Sequence, residues 1–571
     1  MVYGNIWYRI AVVSFVACVV GTAVSLAAIA FVECVSWLND VLLISPRSRV
    51  QVQHAGMLNA ATLLVPTLGG LTVGYLIYRY STVRRPQGPP DVIKSVQLDT
   101  PLPPARDGFV STLAAIISLG SGASVGQYGP LVYLGALLAG LLNRLQLRIP
   151  NFQQILLACG VAAAISTAFN APIAGLVFAH EVILRHYSMQ AFAPTTVAAA
   201  TGYVVANVVF DRPPLFLVEF EGVQYEYEFV IFAILGTACA LLAVLLMRSI
   251  IWIAAQAKKL PLHPAFKPAL AGLCVGSAAL YLPDVLGIGQ EALRFATIEG
   301  AYSKQELAIL VFVKLLLTAL CVGLGFAGGV FSPSLLIGIL FGALCWSILT
   351  LFGIPSSGVA VYAITGMMAL TSPVIGAPLT TILIVFELTR NYDLTIAAMV
   401  GVVFANLLAF RMIGRSLFDV QLAGQGIDLS DGRDKAQLQH AHVIDQPIKH
   451  YISFLSDTPT NEAVARLAGK DRSEAVIVDS ENHYLGVFKI QSTIEHTEQP
   501  VLNLVSKERL VFTENTTLWD AMLTLDNFVG EIVPVVSSTD QRLLGVITES
   551  GIISAYLAKV HTLRKEEHGS S

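Results

Sequence analysis

The stretch "GSGASVGQYGP", Gly120–Pro130, interrupts an apolar run with four glycines, one proline and a single tyrosine, Tyr128. Glycine and proline are the strongest helix breakers, so a helix that arrives at Gly120 is expected to stop there and a new one to start near Pro130. On either side the chain stays apolar. Of 571 residues, 55% are hydrophobic and only 13% charged, with a mean hydropathy of +0.67. A soluble domain carries about 25% charged residues, so most of this chain does not face water.

Apolar runs follow one another from about Ile6 to Phe410, among them Ile10–Phe31, Ala60–Ile77, Phe229–Ala254 and Leu307–Val322. They predict an all-α polytopic domain embedded in a lipid bilayer. Many runs are too short to span or are cut by Gly and Pro, which predicts half-helices ending inside the protein. The first run lacks a small-residue cleavage site and reads as a retained helix. Basic residues gather between runs at Arg79, Arg84 and Arg85, at Lys258 and Lys259, and at Arg411 and Arg415. The positive-inside rule puts those loops on the cytoplasmic side of a plasma or inner membrane. The seven cysteines all lie in apolar runs without a CxxC pair, so they read as buried small hydrophobes and not as metal or disulfide sites. The net charge of −4 gives no basis for nucleic-acid binding. No nucleophile–base pair, metal-ligand set or phosphate loop points to an enzyme.

The opening stretch has a counterpart. Gly126, Pro130 and Gly135 recur with the same spacing as Gly329, Pro333 and Gly338, 203 residues on. "FNAPIAGLVFAHE" (Phe169–Glu181) likewise resembles "VIGAPLTTILIVFE" (Val374–Glu387), 206 residues on, each with a Glu nine residues after Ala-Pro. Two pairs at nearly one offset predict two related membrane halves, about 60–215 and 260–420, with a site at their junction. The repeat sets Tyr128 opposite Phe331. After Leu422 the composition turns polar. "EAVIVDSENHYLGVFKI" (Glu474–Ile490) and "IVPVVSSTDQRLLGVIT" (Ile532–Thr548) each read strand, turn, strand. The expected division is a transmembrane domain over 1–424, a linker over 425–445, and two α+β modules over 446–498 and 499–562.

An anion crossing a membrane needs donors that replace its water without binding it too tightly. Helix N-termini provide them through unpaired N–H groups and a partial positive charge. Three segments have the form Gly, Pro, apolar helix: "QGPPDVIKSV" from Gln87, "GQYGPLVYLG" from Gly126 and "GGVFSPSLLIG" from Gly328. The competing reading is close helix packing at glycine-rich crossings.

On these residues the chain resembles the CLC family of chloride channels and chloride/proton exchangers. "GGVFSP" (Gly328–Pro333) matches the family's GxFxP element, "GQYGP" (Gly126–Pro130) stands where the family has G(K/R)EGP, and "QGPPD" (Gln87–Asp91) where it has GSGIPE. The tail resembles paired CBS (cystathionine β-synthase) domains. The resemblance implies two inverted repeats, a homodimer with one pore per subunit, chloride or a similar small anion as cargo, and a cytoplasmic tandem CBS domain. It places the pathway at Gln87, Gly88, Pro89, Gly126, Gln127, Tyr128, Gly129, Val330, Phe331 and Phe418.

The departures from the family pattern predict the mode of transport. Tyr128 replaces the gating glutamate of G(K/R)EGP. A phenol of pKa about 10 is roughly 99.9% neutral at pH 7, and ionising it there costs about 4 kcal/mol before desolvation. Val182 replaces the inner glutamate that exchangers carry after the position of Glu181. With both carboxylates missing, passive uncoupled anion flux gated by Tyr128 is expected. An exchanger with a rerouted proton path, through His180 or water, and a non-conducting CBS-regulated sensor are the alternatives. Gln87 can donate through its amide, whereas Phe418 stands where the family has a tyrosine and cannot donate. The backbone N–H groups of Val330 and Phe331 remain as ligands. Glu181 and Glu387 are expected to cap or pair, His180 to be a satisfied structural histidine, and Lys314 to supply a distant field or to snorkel. No metal or cofactor is expected. An adenine nucleotide at the CBS pair rests on Thr548 alone, since Gly551 stands where an acid would help.

Overall fold

The protein is described by a computed structural model over residues 4–51, 54–145, 151–211, 222–430, 432–446, 451–470, 472–493, 499–506, 510–525, 528 and 530–568. Two compact units emerge, Met1–Ile427 and Asp428–Ser571.

The first unit is built of helices. Its first half comprises α1 Gly4–Val41, α2 Pro46–Val50, α3 Ala55–Tyr80, α4 Pro89–Gln97, α5 Ala105–Gly120, α6 Tyr128–Leu141, α7 Phe152–Phe169, α8 Pro172–Phe178 and α9 Met189–Val204. The second comprises α10 Glu228–Lys259, α11 Lys267–Ala279, α12 Gln290–Phe295, α13 Lys304–Gly323, α14 Phe331–Leu349, α15 Val359–Ile375, α16 Pro378–Thr389, α17 Tyr392–Ile413 and α18 Leu417–Ala423. Among the described residues, eight helical stretches are long and apolar enough to cross a bilayer. Others are not. At 14 residues α6 reaches about 21 Å against a hydrocarbon thickness of about 30 Å. It must therefore end inside the protein, and its first residues are buried.

The two halves repeat the same packing. A Cβ on Gly160 of α7 would lie 2.2 Å from the Gly135 carbonyl of α6, and a Cβ on Gly338 of α14 would lie 2.6 Å from the Gly366 carbonyl of α15. Glycine on both helices of each pair lets backbones touch, as close membrane crossings require. Reciprocal contacts between the halves, described below, show the pseudo-two-fold relation of an inverted repeat.

The second unit holds two sheets of one design. β1 Ser453–Leu455 runs parallel to β2 Glu474–Val478, which pairs antiparallel with β3 Tyr484–Lys489. β4 Phe512–Thr513, β5 Val533–Val536 and β6 Leu543–Ile547 repeat the order. With α20 Thr460–Ala468 and α21 Leu518–Thr524 they form two α+β modules, whose sheets share a core of Val476, Val487, Ile532 and Val546. The stretch expected as linker is partly built in. α19 Arg433–His440 is helical, and its Leu438, with Val443 after it, packs into the core of the second module. An apolar pair inside a polar stretch escapes a reading by composition.

Candidate functional site

The N-termini of α6 and α14 meet head to head where the halves face each other. Gly126 N–H donates to the Gly329 carbonyl at 2.6 Å, and Gly329 N–H to the Gly126 carbonyl at 2.7 Å. A Cβ on Gly129 would stand 3.0 Å from Gly329 Cα, and one on Gly126 2.8 Å from Ser332 N, so the contact excludes side chains. Gln127 N–H is held by Ser332 Oγ at 3.2 Å. The N–H groups of Gly129, Val330 and Phe331 find no hydrogen-bond partner among the described residues. These are the orphan donors of helix first turns, and they stand around one point.

Tyr128 closes that point. Its ring stacks on Phe169 with centroids 3.9 Å apart and planes 17° apart, and Phe331 sits 5.1 Å from both rings. All three are buried. The cavity left between Tyr128, Pro89, Val132, Phe178, Phe331 and Phe418 measures about 10 Å³, room for roughly one water molecule and no more. Phe169 did not figure among the expected site residues. Its signal was an aromatic placed directly before the Asn-Ala-Pro helix break.

α4 differs from the expected donor terminus. Pro89 and Pro90 supply no N–H. Gly88 N–H is taken by Asp91 Oδ2 at 3.0 Å, Asp91 N–H by the Gly88 carbonyl at 3.0 Å, and Gln87 N–H by Ser111 Oγ at 3.3 Å. Arg85 clamps the same Asp91 through two bonds, at 2.6 and 3.0 Å, and also reaches Gln425 of the chain after α18 at 3.2 Å. What remains at this terminus is the Gln87 amide, buried with neither its nitrogen nor its oxygen partnered among the described residues. A buried amide without partners is costly, so Gln87 is the one polar group here still able to serve a ligand.

At the other end, Gln127 lines a cavity of about 430 Å³ that Arg47, Arg49, Asp40 and Asp284 also reach. Beside it, burial and then the Asp284 carboxylate push the Tyr302 phenol above its ordinary pKa.

The carboxylates Glu181 and Glu387 are capping groups that the halves exchange. Glu181 accepts from Leu379 N–H, Thr380 N–H and Thr380 Oγ1 at the start of α16, at 2.9, 2.9 and 2.7 Å. Glu387 accepts from Ile173 N–H and Ala174 N–H at the start of α8, at 2.9 and 2.8 Å. Val182 follows Glu181 within a π-helical turn, Ala179–Leu184, and lines a separate cavity with His180, Arg185 and Asp419. His180 is fully buried between the His186 carbonyl and Thr195 Oγ1, at 2.9 and 3.1 Å. Lys314 does not snorkel. Its Nζ donates to the Val285 and Gly287 carbonyls, both at 2.8 Å, and is buried there. The Thr548 hydroxyl caps α22 Glu549–His568, accepting from Gly551 N–H at 3.1 Å.

Residues 69–409 match the family model described as voltage gated chloride channel. The chain belongs to this family. Residues 501–558 match the CBS domain model, which covers the second module. A putative chloride channel protein ClcB-like of Ralstonia nicotianae is 31% identical over 414 residues, 72% of this chain and 96% of that one. Chloride channel protein CLC-e of Arabidopsis thaliana is 28% identical over 542 residues, 84% of this chain and 76% of the relative. Among solved structures, a slow cyanobacterial Cl⁻/H⁺ antiporter superposes with a TM-score of 0.66 at 24% identity, over 72% of this chain and 97% of its own. A eukaryotic CLC transporter does so at 0.61 and 19%, over 94% and 97%. The chain is thus an integral membrane protein of a chloride-transporting family with a C-terminal CBS region.

Proposed function

We propose that the protein is an anion channel giving passive flux uncoupled from protons, with Tyr128 as an uncharged gate. The observation that carries this reading is the stack of Tyr128 on Phe169 at the meeting of the α6 and α14 N-termini. In it an aromatic plug, and no carboxylate, fills the space where the orphan N–H groups converge. A phenol stays un-ionised near neutral pH, and Val182 offers no relay behind it. An anion that displaces the ring meets the N–H groups of Gly129, Val330 and Phe331 first and the Gln87 amide next, with Gly88, Pro89 and Phe418 shaping the inner end.

The same reading places the CBS pair on the cytoplasmic side, because the basic loops at Arg79–Arg85 and Lys258–Lys259 share a side with the end of α18 under the positive-inside rule. It takes the assembly to be a homodimer, with Ile173 and Leu379, both exposed at the starts of α8 and α16, on the face that a second copy covers.

The test is chloride efflux from proteoliposomes with simultaneous proton recording. Chloride movement with no proton movement is expected under either gradient. Uphill proton movement driven by chloride would replace the channel by an exchanger. No wild-type flux, with flux restored in Tyr128→Ala, would make the protein a sealed sensor.

A further inference from the structure

α3 and α11 are fastened backbone to backbone. A Cβ on Gly70 would lie 2.4 Å from the Pro268 carbonyl, and one on Gly74 2.0 Å from that of Ala265. This contact fixes the C-terminal end of α3 beside the connection between α10 and α11. The Tyr78 ring meets His263 edge-on at 4.4 Å. Arg84 lies over Tyr78 at 5.1 Å, while Arg79 and Arg106 lie over Tyr80 at 5.5 and 5.9 Å. Lys258 and Lys259 end α10 alongside.

These five cations are exposed, and among the described residues none has a carboxylate partner. The acids close by are already engaged: Asp91 holds Arg85, and the buried Asp107 binds Thr82. Next to the cations runs an exposed apolar face, with Tyr75 54%, Phe266 50%, Leu270 41% and Leu273 43% accessible.

We propose that this strip binds the headgroup of an anionic phospholipid, with the acyl chains lying on the apolar face of α3 and α11. Topology alone needs only a surplus of cations. Here guanidinium groups from three separate elements are ordered on two tyrosine rings, so their forks are set out for a phosphate before it arrives. An apolar face directly beside them suits a lipid and not a free anion. The surface lies one residue from Arg85, which clamps the N-terminus of α4, so a bound headgroup sits next to the inner end of the pathway.

The experiment is native mass spectrometry of the full-length chain, re-equilibrated in detergent with equal phosphatidylglycerol and phosphatidylcholine of the same acyl chains. Phosphatidylglycerol is expected to be retained about ten-fold over phosphatidylcholine. Arg84→Gln, Lys258→Gln and Lys259→Gln each lower its retention about five-fold, the worth of one cation near an anionic surface. Tyr80→Leu keeps every charge and still lowers retention, because the guanidinium groups lose their seat. Arg248→Gln, remote from the strip, changes nothing, and size-exclusion profiles identify any variant that fails to fold. Equal retention of the two lipids overturns the proposal. So does an Arg248→Gln effect as large as that of Arg84→Gln, or displacement of the lipid by inorganic phosphate.

Discussion

In the proposed channel, Tyr128 would close by shape what a carboxylate closes by charge. Its stack on Phe169 holds the ring where the α6 and α14 N-termini meet, and such a contact contributes about 0.5–1.5 kcal/mol beyond the area it buries. That is small enough for an arriving anion to compete with. Tyr128→Ala removes the plug and is expected to raise chloride efflux from proteoliposomes at least about ten-fold, the factor that goes with roughly 1.4 kcal/mol. Tyr128→Phe keeps ring and stack and is expected to conduct within about two-fold of wild type. If Phe opened the pathway as Ala does, the hydroxyl and not the ring would be the closing element. Lys314 makes a second prediction at this scale. Its two carbonyl bonds hold the segment Val285–Gly287, whose Gly287 N–H donates to the Gly122 carbonyl in the turn before α6. Lys314→Met leaves both carbonyls buried and unpartnered, which costs about 1–3 kcal/mol. A lowered midpoint of thermal unfolding in detergent is the expected outcome, with residual flux still uncoupled from protons.

Between elements, the reciprocal caps set a scale of their own. Each half lends a carboxylate to a helix start in the other, and an anionic cap at a helix N-terminus stabilises by about 1 kcal/mol. Glu181→Gln and Glu387→Gln are both expected to lower the thermal midpoint. Glu181→Gln does so more, because Glu181 accepts three bonds and Glu387 two. Equal losses, or none, would show that α8 and α16 hold their places by apolar packing alone. Which of these features could be read beforehand follows from how local each signal is. The break at Gly120–Pro130, the start of α14 and the pairing of Gly126 with Gly329 were legible, because glycine and proline act on their own neighbours and the repeat supplies the partner. The capping role of the two glutamates was legible for the same reason. The loss of donors at α4 was not, since it depends on Asp91 folding back onto Gly88. Nor was Phe169, which lies 41 residues from Tyr128 and meets it only through the packing of α6 on α7.

At the scale of the whole chain, composition separates a membrane part from a polar tail because the hydrophobic residues, 55% of the total, are unevenly spread. It misplaced the start of the packed tail, because Leu438 and Val443 are two apolar residues among polar ones. Side-chain carboxylates hold turns of the tail. Between β2 and β3, Asp479 accepts from His483 N–H at 2.8 Å and from Glu481 N–H at 2.9 Å, with the His483 ring at 2.9 Å. These contacts, the His483 N–H foremost, hold its carboxyl below the ordinary range. In the second module, the Ser538 hydroxyl lowers Glu514 and the Ser537 hydroxyl lowers Asp540 in the same way. A carboxyl whose folded pKa is depressed stabilises fully above its unfolded pKa and loses that contribution as pH falls through the folded value. All three face solvent, so each effect is modest, but all three have one sign. Amide exchange of the full-length chain, corrected for intrinsic rates, is therefore expected to show steady protection over 474–489 and 533–547 from pH 7 to about 5, then a fall below about pH 4. Asp479→Asn should lower the plateau over 474–489 and flatten the acid fall there, leaving 533–547 as in wild type. Protection that rises on acidification would mean that repulsion among the acids, and not these turn bonds, governs the tail.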